Sequence, residues 1–148
     1  MHFTTLYILK GETLDNVTQY SIEDDFQDRF CYCCGETRPR YRDWCDWFQI
    51  GGRWCNILKA KRGIKGERSW CNKEEEDVKD MYSIVEIKDL TEPINREQIY
   101  AVATETDIYQ DEDSWGGDCV DKEKYNELLD KIDRKEITGV IALIDCHD

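Results

Sequence analysis

Gly139-Val140-Ile141-Ala142-Leu143-Ile144-Asp145-Cys146 is an apolar run interrupted only at Asp145. Its content of Val, Ile and Leu after an opening glycine predicts a strand that closes the sequence. Upstream, Tyr125, Leu128, Leu129 and Ile132 recur at helical spacing and predict a helix from about Lys122 to Asp133. Ile99–Thr104 and Asp107–Gln110 read as a hairpin around Glu105-Thr106, and Tyr82–Ile87 alternates as a strand. At the other end, Phe3–Leu9 combines apolar, β-branched and aromatic residues and reads as a buried first strand, broken by Gly11.

Two further helices are expected. Ser21 is placed as an N-cap ahead of Glu23, Asp24 and Asp25, and Ile22, Phe26 and Phe30 carry an amphipathic stripe to about Cys31. Asn72, with Glu75 three residues later, caps a short acidic helix to about Lys79. Strands outnumber the scattered helices. The expectation is therefore an α+β fold, with a mainly antiparallel sheet and two to three helices packed on one face. Residues 1–148 read as a single domain, since two prolines and no low-complexity run leave nothing resembling a linker.

Composition narrows the setting. Seventeen aromatic residues argue against disorder, and a net charge of −13 disfavours direct nucleic-acid binding and anionic membranes at long range. The charge is uneven: residues 38–68 carry nine basic side chains against three acidic ones, on an otherwise acidic body. The N-terminal residues lack the basic and apolar regions of a signal peptide, and no stretch approaches a membrane span. The expected location is the cytoplasm, where the eight cysteines would be reduced, as thiols or metal ligands.

Two short aromatic runs, Trp44–Ile50 and Arg53–Leu58, flank Gly51-Gly52, as a hairpin or a bent strand would require. The whole stretch reads Asp43-Trp44-Cys45-Asp46-Trp47-Phe48-Gln49-Ile50-Gly51-Gly52-Arg53-Trp54. It resembles a family of small phage and prophage proteins of uncharacterised function, with a pattern like W-D-W-[YF]-x-I-G-G-R-W. Leu58-Lys59-Ala60-Lys61, Tyr100-Ala101-Val102 and the closing Asp145-Cys146-His147 fit the same resemblance, which spans about half the chain. Cys45 within the motif, and the cluster of Cys31, Cys33 and Cys34, depart from the family's pattern. The resemblance implies a mobile-element origin and a life in the host cytoplasm; it implies no activity.

Four constellations could carry chemistry. A glycine turn can present backbone N–H groups to an anion, Arg53 can add a bidentate phosphate contact, and neighbouring Trp faces can stack a base. This makes Trp47, Gly51, Gly52, Arg53, Trp54 and His147 the candidate ligand-binding residues, against the plainer reading of a tight turn packed with aromatics. Cys31-x-x-Cys34-Gly35 has zinc-knuckle spacing but no second pair to complete four ligands, so structural zinc is a minor reading and no metal site is assigned. In Asp145-Cys146-His147, strand alternation puts Cys146 and His147 on opposite faces and Asp145 and His147 on one. His2 is the only other histidine, so any histidine chemistry is expected to rest on His147. Two acidic runs, Glu74–Asp80 and Asp107–Asp118, read as a solvated face or as mimicry of phosphates toward a basic partner.

The combined expectation is a non-enzymatic binding protein of phage or mobile-element origin that counters host defence, by inhibiting a host protein or sequestering a nucleotide signal. Two alternatives stand beside it: a small enzyme acting on a phosphorylated substrate through Asp145 and His147, and a zinc-stabilised interaction scaffold. No catalytic residue is assigned.

Overall fold

The computed structural model describes residues 2–30, 44–45, 47–68, 71, 73–110 and 121–147. The apolar run that closes the sequence becomes the central strand, β8 (Gly139–His147). One edge of β8 pairs antiparallel along its whole length with β1 (His2–Lys10), from His2↔His147 to Lys10↔Gly139. Its other edge is shared between β2 (Trp47–Ile50), which pairs with residues 144–147, and β5 (Ile84–Glu86), which pairs with residues 140–142. Beyond β1 lie β6 (Ala101–Ala103), parallel to it, and β7 (Ile108–Gln110), which forms the expected hairpin with β6. A separate two-stranded ribbon joins β3 (Leu58–Lys59) to β4 (Met81–Tyr82). The domain is thus α+β with a mainly antiparallel sheet, and among the described residues no helix is long and apolar enough to cross a membrane.

Two α-helices are present among the described residues, α1 (Gln19–Phe30) and α2 (Lys122–Asp133). They do not share a face of the sheet, as the sequence had suggested. Ile22, Phe26 and Phe30 of α1 pack with Phe3, Tyr7 and Leu9 of β1 and with Ala142 and Ile144 of β8. Tyr125, Leu128, Leu129 and Ile132 of α2 pack with Leu6 and Ile8 and with Ile141 and Leu143. Alternate residues of the same strands therefore enter different cores. A strand covered on both sides must be apolar at successive positions, which is why β8 is a continuous run. Across the first core, the Tyr7 hydroxyl donates to Asp25 of α1; burial, reinforced by that carboxylate, pushes its pKa well up.

The start of α1 also differs from expectation. Thr18, three residues before Ser21, is the cap: the Ser21 N–H donates to Thr18 Oγ1, and the Thr18 N–H donates to Ser21 Oγ. This is the reciprocal geometry of a capping box, with serine in the place usually held by Glu or Gln. The cap of α2 is Asp121, which accepts from the Lys124 N–H at 2.9 Å. The acidic segment after Asn72 forms a 3-10 turn, Glu75–Val78, and Asn72 lies outside the described residues. No hairpin forms at Gly51-Gly52, because β2 pairs with β8 while β3 pairs with β4.

Cys55 and Cys71 are joined by a disulfide with their Cα atoms 5.8 Å apart, which corrects the expectation of eight reduced thiols. Cys45 and Cys146 are buried in the core beneath α1, and Cys146 Sγ approaches Thr5 Oγ1 at 3.4 Å. Cys31, Cys33 and Cys34 lie outside the described residues, as do Arg38, Arg40, Arg42 and residues 111–118 of the second acidic run.

Candidate functional site

At one end of the sheet, the first residue of β1 and the last residues of β8 lie side by side with the start of β2. The register sets His2 opposite His147 and Thr4 opposite Asp145 on one edge, and Trp47 opposite His147 and Gln49 opposite Asp145 on the other. With a period of two, all six side chains project from the same face. That face is the one α2 covers further along the strands, where Leu6 and Leu143 belong to its core.

Asp145 is the centre of this group and is 0% exposed. Its Oδ1 accepts from His2 Nδ1 at 2.8 Å, and its Oδ2 accepts from the backbone N–H of Arg53 at 2.8 Å. A carboxylate without a proton only accepts, so this contact selects the tautomer of His2 with its proton on Nδ1. The carboxylate is out of water and is held by these two charge-assisted bonds. Around it, the rings of His2, His147 and Trp47 meet edge to face. The centroid separations are 5.2 Å for His2–His147, 6.1 Å for His2–Trp47 and 6.0 Å for Trp47–His147. Trp47 remains 39% exposed. Gln49 Oε1, across from Asp145, is buried without a hydrogen-bond partner among the described residues.

The glycine turn belongs to this carboxylate. Gly52 adopts φ +55°, and a Cβ there would lie 2.2 Å from Asp145 Oδ2, so only glycine lets the backbone come this close. Behind it, Gly51 N–H donates to Leu143 O, Gly52 N–H to Glu67 O and Trp54 N–H to Gly51 O. With Arg53 N–H on Asp145, all four donors are engaged within the chain. One of the four, the Arg53 N–H, meets an anion, the protein's own Asp145; the other three meet backbone carbonyls. The Arg53 guanidinium is exposed and takes no part in that contact. Arg53→Ala is accordingly expected to leave the melting temperature unchanged within error in a thermal melt; a clear drop would mean the side chain, and not the backbone, holds the turn.

The histidine assignment changes with the geometry. Asp145 and His147 do share a face, but the imidazole hydrogen-bonded to Asp145 is His2. Nothing local in the sequence marked His2; only the antiparallel register of β1 on β8 brings it there. Trp44 stands apart from Trp47 and Trp54: it packs on Phe3 in the core beneath α1, and its Nε1 donates to Thr5 Oγ1.

Beside His2 opens a cleft of about 380 Å³, lined among others by Thr4, Trp54, Arg96, Gln98 and Tyr100. Trp54 is the one residue of the Trp47–Trp54 motif in its lining. Arg96 donates to Asp130 at 2.5 Å and to Asp133 at 3.2 Å; burial opposes its charge, but those two acceptors outweigh it and raise its pKa. The basic segment spends most of its described charge internally. Lys59 bridges Asp80 and Glu92, and Arg62 bridges Asp15, Glu86 and Asp89. Lys65 donates to the carbonyls of Val78 and Met81 and lies over the Tyr82 ring, while Arg68 donates to Lys73 O. Desolvation, with the neighbouring Arg68, lowers the Lys65 pKa. These cations staple the 59–68 loop to the domain and do not line up as a stripe for phosphates.

Among the described residues no three His, Cys, Asp or Glu side chains converge as a metal cage. No protein family, curated protein or solved structure is matched by the chain.

Proposed function

We propose that the protein is a non-enzymatic binder of a small nucleotide-like ligand, held in the cleft beside His2. The observation that carries this reading is the imidazole at the cleft wall, fixed in orientation by a fully buried carboxylate. Trp54 and Tyr100 supply aromatic surface for a base, His2 and Arg96 face its anionic part, and Gln98 adds an amide for edge recognition. A cleft of about 380 Å³ has the scale of a small-ligand site. The resemblance to phage and prophage proteins supplies the setting: a protein that removes a nucleotide signal from a host defence response.

The binding site in this reading is the Trp54 side of the turn, with Arg53 outside it. Titrating the protein with mononucleotides and cyclic dinucleotides, read by tryptophan fluorescence and calorimetry, is expected to give saturable binding to at least one. Trp54→Ala and His2→Gln should each weaken it at least tenfold, and Arg53→Ala should leave it unchanged. Absence of saturable binding across the panel would remove the reading.

Salt separates this from inhibition of a basic partner by the acidic surface. Glu74–Asp77 are exposed, and binding through them would weaken steeply as salt rises. Nucleotide binding to a protein of net charge −13 works against long-range repulsion, which salt screens.

A second reading rests on the same His2–Asp145 contact, because a carboxylate-oriented imidazole is also the geometry of a general base. An enzyme acting on a phosphorylated substrate would use His2, with Asp145 positioning it. His2→Gln would then abolish turnover while binding persisted.

A further inference from the structure

We propose that His2 and His147 form a cross-strand site for a divalent transition-metal ion such as Zn²⁺, Ni²⁺ or Cu²⁺. The two residues are directly opposed on neighbouring antiparallel strands, and their ring centroids lie 5.2 Å apart. Two imidazoles on one tetrahedral ion, with metal–nitrogen bonds of about 2.1 Å, place their ring centroids about 5 Å apart. The separation of this edge-to-face pair therefore matches what a shared ion requires, with the ring nitrogens brought to it by side-chain rotation.

The second observation is the outer shell. His2 Nδ1 is bonded to Asp145 Oδ1 at 2.8 Å, and Asp145 is fully buried and fixed by the Arg53 N–H. A carboxylate behind a histidine orients the ring and raises its basicity as a ligand, with Nε2 as the metal-binding nitrogen. Both imidazoles also interact with neighbours beyond these contacts, and the ion would displace what occupies its positions. The two imidazoles are the ligands the described residues supply, and among those residues no group of three His, Cys, Asp or Glu forms around them. Imidazole donors of this number favour the later first-row metals over Mg²⁺ or Ca²⁺. The inference does not rest on nucleotide binding, and its test uses the metal alone.

Untagged full-length protein, stripped with chelator, would be titrated with NiCl₂ and CuCl₂ and followed by calorimetry and tryptophan fluorescence. The expected result is one equivalent bound, with quenching that Trp47→Phe abolishes, since that ring lies within about 6 Å of both imidazoles. His147→Gln, at a partly exposed position, should weaken binding at least tenfold without loss of fold by circular dichroism. Asp145→Asn should weaken it 10- to 100-fold. Failure of wild type to bind one equivalent, or full binding retained by His147→Gln, overturns the site. Unchanged binding in Asp145→Asn overturns the role of the outer shell.

Discussion

Gly52→Ala is expected to destabilise the protein by about 2–5 kcal/mol, with two separable causes. A φ of +55° costs an L-residue about 1–2 kcal/mol. The larger cause is steric: the new methyl would sit 2.2 Å from Asp145 Oδ2 and 2.6 Å from its Cβ, with the carboxylate enclosed and unable to swing into water. Forcing a group into a filled site adds about 1–3 kcal/mol. Gly11→Ala is the control, because Gly11 also has positive φ (+81°) but nothing lies within 4 Å of its added Cβ. Urea unfolding should show Gly52→Ala well below Gly11→Ala. Equal losses would mean that the approach of the turn to Asp145 is not what glycine is needed for.

Asp145→Ala is expected to cost about 3 kcal/mol, since it strands two donors at once, the Arg53 N–H and His2 Nδ1, and leaves a void at a fully buried position. Asn at this position keeps one acceptor oxygen, which can satisfy one donor, so Asp145→Asn should lose roughly half as much. The two sites also predict their own coupling. Asp145→Ala removes the atoms that an alanine at position 52 would strike, so the double variant should be more stable than the sum of the single losses implies. Additive losses in a double-mutant cycle would show that the turn and the carboxylate stabilise the protein independently.

The elements that sequence alone made legible are those whose pattern is local. The helix over residues 122–133, the hairpin between β6 and β7, and the long strands at either end each announce themselves within a dozen residues. The run from Val140 to Ile144 bears on the placement of the helices as well as on the strand. An apolar residue at every position already requires cover on both faces. Acidic residues after Ser21 mark it as the cap of α1, although Thr18 stands in the capping-box position three residues earlier. At the site, Gly51-Gly52-Arg53 reads either as a nest for an anion or as a tight turn packed with aromatics, and the carboxylate that its Arg53 N–H meets is the protein's own. That carboxylate is 92 residues away in sequence, a separation that no local pattern reports. His2 enters the sequence reading only as the other histidine, with any histidine chemistry resting on His147, yet pairing the first predicted strand antiparallel to the last sets it opposite His147. The Cys55–Cys71 bond joins two isolated cysteines across a separation of 16 and follows no motif spacing.

The pairing of β1 with β8 also governs how this chain becomes a folded object on the ribosome. The two strands at the centre of the sheet are separated by nearly the whole sequence, and all nine residues of β1 have their antiparallel partners in β8. Closing such a pair means paying the loop entropy of everything between them before the contact returns any stability. Until β8 emerges, β1 lacks its principal neighbour, and α1 and α2 have only half of their apolar platforms. A chain stopped short of residue 139 is therefore expected to leave apolar residues of β1, α1 and α2 without their β8 partners. Completion of both cores thus waits on the last strand, which contributes apolar residues to each.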